Sequence, residues 1–300
     1  MDLGVQIGRL YSLRVGSKDK GWTITGLNIS FDITKNASNK ESTNSATIEV
    51  YNLSKDKRKF LEEAFITAEL YIGYQSYGLV LLFSGEVTEV TTKKDDSNDI
   101  VTRFAIGGAY TEINYKTISK LVPSGRTVKD VIDELVREVT SNSRSVFTGV
   151  NLNSEVLDGY PISTTARKTL DDLSRSYKID WQIDNGVLFV SDKYGTHGNP
   201  NTAILVNKNT GLVGTPYAVE VRPDSNKKKS KKSDNKNQRV SKDGVQFRHL
   251  LNPYLVAGGL VKLEDEQFTG LFKVREIRSF GEWNGRDWYS DVILERYSGG

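Results

Sequence analysis

The sequence predicts a mainly β chain interrupted by a small α+β insertion, and three patterns support this. Both ends alternate apolar and polar residues with the period of strands. Past Pro123 the period changes to that of helices, then returns to strands. Two segments on either side of that change carry similar features in the same order.

In WTITGLNISFDITKN, polar neighbours separate most of Ile24, Leu27, Ile29, Phe31 and Ile33, and SATIEVYNLS continues with Ala46, Ile48 and Val50. Residues two apart share one strand face, so each run can bury one face and expose the other. The polar KNASNKESTNS between them is a turn-forming loop. SKDKRKFLEEAF fits a short helix with Ser54 as N-cap. From Phe65 to Gly108, Gly-Tyr, Ser-Gly and Asp/Asn/Ser clusters punctuate several short strands, a spacing that suits an antiparallel barrel or sandwich.

The insertion is expected over residues 117–193. Val128, Val131, Ile132, Leu135, Val136 and Val139 form one apolar helical stripe. Asp130, Asp133, Glu134 and Glu138, interleaved with Lys129 and Arg137, give that helix a solvated face. A second helix in STTARKTLDDLSRSY starts from a Ser/Thr cap and buries Ala166, Leu170 and Leu173. In KIDWQIDNGVLFVSD, apolar residues flank Asn185-Gly186, a pair suited to the positive φ angles of a tight hairpin turn.

Strands resume to the C-terminus, with turns at Gly258-Gly259 and Asn284-Gly285. LYIGYQSYGLVLLFSGEVTEV and LVAGGLVKLEDEQFTGLFKVREI each give an apolar strand, a turn, a Phe-x-Gly (Phe83–Gly85, Phe268–Gly270) and an alternating strand. These end in Val87-Thr-Glu-Val90 and Val274-Arg-Glu-Ile277, and a polar loop and a last apolar strand follow each. Antiparallel meanders look alike in general, so the shared order carries more weight than the few identities. Read as a duplication, it lets three copies present six similar units around one axis.

The chain carries 41 Lys+Arg against 38 Asp+Glu, a formal +3. Residues 227–242 hold seven Lys and one Arg against Asp234, a local +7 that leaves the rest of the chain at −4. The body is therefore mildly acidic, and any phosphate contacts would concentrate in Lys227, Lys228, Lys229, Lys231, Lys232, Lys236 and their neighbours. A segment with so few apolar residues cannot offset its ordering entropy, so residues 224–243 are expected to be a disordered loop between two hairpin strands. The alternative is a ligand-binding element, although the run lacks the aromatics that stack on single-stranded nucleic acid.

The residues that carry chemistry are sparse. There are no cysteines, and His197 and His249 are the only histidines, so no zinc-ligand spacing exists. Asp171 and Asp172 are sequential on a helix and point apart, which makes them a poor acid–base pair. GLVGTP precedes no expected helix and so cannot serve as a phosphate loop. No catalytic, cofactor or metal residue is assigned, and the chain is not expected to be an enzyme. The N-terminus lacks an apolar core segment, so no signal peptide is expected, and no apolar run is long enough to span a membrane. Trp288 reads as core. Tyr74 and Trp283, expected in loops, are candidate interface anchors, because Trp and Tyr concentrate at hot spots.

NSATIEVYNLS, LLFSGEVTEV, TLDDLSRSYKIDWQIDNGVLFV and FRHLLNPYLVAGGLVKLE, followed by FTGLFKVREIRSFGEWNGRDWYSDVIL, together resemble the baseplate hub proteins of contractile-tailed bacteriophages. Relatives include the hub-like part of type VI secretion spike proteins. The resemblance runs in order over nearly the whole chain, although each motif is weak alone and the lysine run is not part of it. It implies two similar antiparallel tube-like β-barrels, residues 1–116 and 194–300, flanking a helix–helix–hairpin domain at 117–193. It further implies a structural homotrimer, a pseudo-hexameric ring joining the sixfold tail tube protein to the threefold central spike protein. Such a hub sits in the virion baseplate and is assembled in the host cytoplasm. The lysine run would then lie on the ring's rim or lumen, within reach of passing DNA, the tape-measure protein or an acidic neighbouring subunit. Two alternatives stand beside this reading: a nucleic-acid-binding protein acting through residues 227–242, and a cell-wall carbohydrate-binding or hydrolase component of a tail tip.

Overall fold

The computed structural model describes residues 6–17, 19–38, 44–63, 65–107, 116–139, 144–193, 195–197, 201–221 and 244–297. The chain opens with β1 (Arg9–Gly16), β2 (Gly21–Ile24), β3 (Ile29–Asn36), β4 (Ser45–Tyr51) and a short α1 (Lys55–Leu61). Then follow β5 (Thr67–Tyr74), the long β6 (Gly78–Lys94) and β7 (Ile100–Gly107). Alternation places Ile29, Phe31 and Ile33 of β3 and Ala46, Ile48 and Val50 of β4 in one buried cluster with Leu13, Leu70 and Phe104. Ser54 occupies the N-cap of α1, but its side chain makes no capping hydrogen bond.

The middle of the chain contains β8 (Lys120–Val122), β9 (Arg126–Thr127), α2 (Val128–Val139), β10 (Arg144–Thr148), β11 (Glu155–Val156) and β12 (Tyr160–Ile162). It ends with α3 (Ala166–Tyr177), β13 (Ile179–Asp184) and β14 (Val187–Asp192). The α2 stripe and Ala166, Leu170 and Leu173 of α3 close on Trp181 and Val190 in a cluster drawn only from residues 118–190. Thr165 caps α3 by accepting from the Lys168 amide at 3.4 Å. Asn185 and Gly186, at φ 50° and 76°, make the expected hairpin turn. The sequence reading missed β10, which adds to this hairpin in parallel, Arg144 opposite Val187.

The last part supplies β15 (Ala203–Val206), β16 (Leu212–Val219), β17 (Gly244–Leu250), β18 (Leu260–Glu264), β19 (Thr269–Glu282) and β20 (Trp288–Arg296). Their inward residues, Val206, Phe247, Val261, Val274 and Val292 among them, form a third cluster. Two later residues, Leu251 and Trp288, pack instead into the first cluster. Thirteen strands, seven from before the insertion and six from after it, form one hydrogen-bonded sheet.

Candidate assembly interface

The sheet is continuous because β3 pairs antiparallel with the far half of β19, from Ser30 opposite Glu282 to Asn36 opposite Glu276. On the face away from the cores, Arg278 makes a bidentate contact with Asp32, 246 residues away, at 2.6 to 3.2 Å. Arg248 grips Asp291 in the same way at 2.7 and 2.9 Å. These guanidiniums are held further toward the charged form by their carboxylate partners. On the core face, Trp288 stacks edge-on against Phe31 at 5.3 Å. Gly281 makes room for that contact: a Cβ there would lie 2.6 Å from Trp288 and 2.8 Å from Phe31.

The strands on each side of this seam follow one order. Before it the sheet runs β3-β4-β7-β6-β5-β1, and after it β16-β17-β20-β19-β18-β15. Each half has a long middle strand with an extra residue at the same place, Thr88 between Val87 and Glu89, and Arg275 between Val274 and Glu276. A bulge of this kind bends the strand and sharpens its twist. Val87-Thr-Glu-Val90 and Val274-Arg-Glu-Ile277 therefore correspond, as the sequence suggested. The Phe-x-Gly motifs do not: in bulge register Gly85 aligns with Phe272, and Gly270 with Phe83. Each glycine has its own cause. A Cβ on Gly85 would lie 2.2 Å from the Gly107 carbonyl oxygen, whereas Gly270 adopts φ +151°.

Several edges of the large sheet stay open among the described residues: β2 bonds only to β1, and β15 only to β18. Beyond Val87, β6 bonds only to β7, and β16 bonds only to β17.

The hairpin of the insertion is pinned to the first half of the sheet. Lys35 on β3 and Asp184 beside the hairpin turn form an ion pair at 2.7 Å, with side chains 6% and 15% exposed. The buried Gln182 amide donates to the Asn36 carbonyl at 2.8 Å and to Asn44 Oδ1 at 2.9 Å, while Asn44 donates to the Ile183 carbonyl. Asn185 Oδ1 accepts from the Ser84 amide at 2.9 Å. On the other side His197 stacks on Phe189 at 5.4 Å, and its backbone amide donates to the Gly258 carbonyl.

Tyr74 closes β5 and does not sit in a loop; it is 2% exposed within the first core, and burial raises its hydroxyl pKa. Trp283 does lie in a turn, half-buried between Tyr11 and Trp288 at 4.7 and 6.2 Å. Lys227, Lys228, Lys229, Lys231, Lys232 and Lys236 lie outside the described residues. The strands on either side of them pair as a hairpin, Val219 opposite Gly244. Desolvation holds His197 neutral, its pKa lowered to about 3, and lowers that of the buried His249. Asp171 accepts from the Trp181 indole at 3.1 Å, while Asp172 pairs with Arg175, so the two carboxylates serve different partners. Among the described residues no three metal-binding side chains gather, and no helix is long and apolar enough to cross a membrane.

A family model described as baseplate hub gp41 matches residues 12–222. Comparison with curated proteins gives no significant match. Among solved structures, a tail protein from Neisseria meningitidis MC58 superposes with a TM-score of 0.64 at 13% identity, covering 96% of each chain. The 43 kDa tail protein of prophage MuSo2 from Shewanella oneidensis gives 0.61 at 11% identity, covering 95% of this chain and 98% of its own. The E. coli c3393 protein, a type VI secretion component described as structurally similar to T4 tail proteins gp27 and gp5, gives 0.61 at 8% identity, covering 90% and 74%. At such identities the likeness is one of fold. The family match spans well over half of the 300 residues, and the chain belongs to the baseplate hub gp41 family.

Proposed function

We propose that this protein is the structural hub of a contractile tail, a homotrimer whose ring adapts the sixfold tail tube to the threefold central spike. Residues 1–116 and 194–300 are its two tube-like barrel units, and 117–193 is the domain inserted between them. The observation that carries this reading is the repeated strand order with its matched bulges at Thr88 and Arg275. Two like units per chain around a threefold axis give six like positions, the arrangement a sixfold partner can meet, while the axis itself remains threefold. The role is geometric: the chain supplies surfaces at fixed angles and no reaction. It belongs in the virion baseplate, with tube and spike proteins as neighbours. Mass measured by light scattering and native mass spectrometry, alone and with tube and spike proteins, tests it. Three times the chain mass is expected; a monomer under every condition would overturn it.

A further inference from the structure

We infer that Phe65 is a docking knob: it enters an apolar socket, rimmed by basic side chains, on the threefold central spike protein, and three copies of the chain present it three times. The inference rests on the hub reading and names a surface by which the hub meets one of its partners. Phe65 lies in the connection between α1 and β5 and is 83% exposed, the highest value of any large apolar residue among those described. It also stands at φ 60°. Left-handed backbone crowds the Cβ of an L residue and is tolerated mainly by glycine and asparagine. Of the other described non-glycine residues at positive φ, Asn52, Asn98 and Asn185 are of that kind, and Lys178 closes α3. Among the described residues Phe65 alone combines backbone strain with an apolar ring left in water, so neither its backbone nor its burial accounts for a phenylalanine there.

The second half of the sheet shows what that position holds when the fold alone decides. With Thr88 matched to Arg275, Glu86 corresponds to Lys273, and their cross-strand partners Thr67 and Leu260 correspond in turn. Two residues earlier, Phe65 therefore matches Gly258, which stands at φ 82°. The backbone bonds agree: the Val87 amide donates to the Ile66 carbonyl at 2.8 Å, and the Val274 amide to the Gly259 carbonyl at 2.9 Å. The same register matches Lys94 with Gly281 and, carried through Ile106 and Leu294, Asp32 with Tyr217 and Lys35 with Glu220. Both units thus adopt left-handed backbone at this point. Glycine meets that need without strain in one, and the other carries phenylalanine.

The surroundings indicate the partner. A Cβ on Gly258 would lie 2.2 Å from His197 Nδ1, so in the second unit the chain's own imidazole covers this position. In the first unit the ring projects outward. The knob therefore occurs once per chain and three times in a ring, which is the spacing a threefold partner meets; a sixfold partner with six like sockets would find only half of them filled. Exposed Glu62 and Glu63 precede Phe65, and no Lys or Arg follows it until Lys93, so the rim of the socket is expected to be basic. A strained aromatic held in water and buried on association is the arrangement of an interface anchor.

Phe65→Asn in the full chain removes the ring and leaves a residue suited to left-handed backbone. Its unfolding midpoint in denaturant should equal or exceed that of the native chain, because strain is released and no packing is lost. Its affinity for the spike protein of the same particle, measured by titration calorimetry, should fall about tenfold or more, while its affinity for the tube protein stays the same. Val256→Asn, at an exposed apolar residue in the matching connection of the second unit, should leave both affinities unchanged. Unchanged spike affinity in Phe65→Asn would overturn the inference and leave the hub reading standing. A loss of tube affinity, alone or as well, would overturn the threefold assignment. A lower unfolding midpoint would mean that the ring serves the chain's own packing and would overturn the strain argument. A native chain that binds neither spike nor tube protein overturns the hub reading itself.

Discussion

The two like halves of the sheet share strand order and bulge position, yet differ at their outer strands. In the first, β3 is covered by β19, β1 runs antiparallel to β5, and the insertion docks on the β3 end. In the second, β16 is bare among the described residues, and β15 runs parallel to β18. Common order with different surroundings means that matched positions face different physical demands. Lys35 and Glu220 show this: they match, but Lys35 is buried against Asp184 whereas Glu220 is exposed. Removing one partner of a buried pair leaves the other charge desolvated. We expect Lys35→Met to cost about 3 kcal/mol in denaturant unfolding, and Glu220→Gln less than about 0.5 kcal/mol. Adding Asp184→Asn to Lys35→Met should recover part of the loss. Equal effects at 35 and 220 would break the comparison.

Gly281 and Lys94 offer a second matched pair. The first lies under Trp288 and Phe31, and the second is exposed at the end of β6. Overpacking of a filled core costs roughly 1–3 kcal/mol, so Gly281→Ala should lower stability by about 2 kcal/mol while Lys94→Ala stays near zero. Near-ultraviolet circular dichroism should register the displaced tryptophan in the former alone.

The insertion is anchored on its two sides by different chemistry, and acid separates them. His197 takes up its proton near pH 6.5 in the unfolded chain but only at about 3 in the folded one. Its contribution is whole above about pH 6.5 and is lost progressively as pH falls toward 3, because the unfolded state then binds more protons. At pH 5 the loss from His197 alone is roughly 2 kcal/mol. His249 shifts in the same direction and adds to it. His197→Phe keeps a ring against Phe189 and should flatten the fall in unfolding midpoint between pH 7 and pH 5. An undiminished fall would place the titration elsewhere.

Local pattern revealed what local physics decides. Strict alternation exposed β3 and β4, the 3.6-residue stripe exposed α2, and Asn185-Gly186 marked its hairpin. The matched bulges were legible as Val-Thr-Glu-Val and Val-Arg-Glu-Ile, although the glycines taken as their companions align with phenylalanines. β1, as long as β3, carries the same alternation in Tyr11, Leu13 and Val15 but went unread, its main partner β5 lying far along the chain. β10 is short and depends on β14. Tyr74 looked like a loop residue from the tyrosines around it, yet burial is set by what β5 faces in the first core. The seam was least legible, since residues near 30 and 280 meet through topology, and no window of sequence spans that distance.

The smallest expected effect concerns that seam's most visible contact. Arg278 and Asp32 make short bidentate bonds, but their side chains are 52% and 46% exposed, so solvent screens the attraction. The strands around them are already joined by a ladder of backbone bonds from Ser30 to Asn36, which does not depend on the pair. A double-mutant cycle with Arg278→Ala and Asp32→Ala should therefore give a coupling of about 0.5 kcal/mol, fading in high salt. At the matched positions on the other outer strands, Thr91 and Tyr217 carry no charge to pair. If the backbone ladder rather than the ion pair joins the halves, unfolding of the seam should be insensitive to salt. A coupling above about 2 kcal/mol, or one that persists in high salt, would mean that charge rather than the backbone ladder holds the seam.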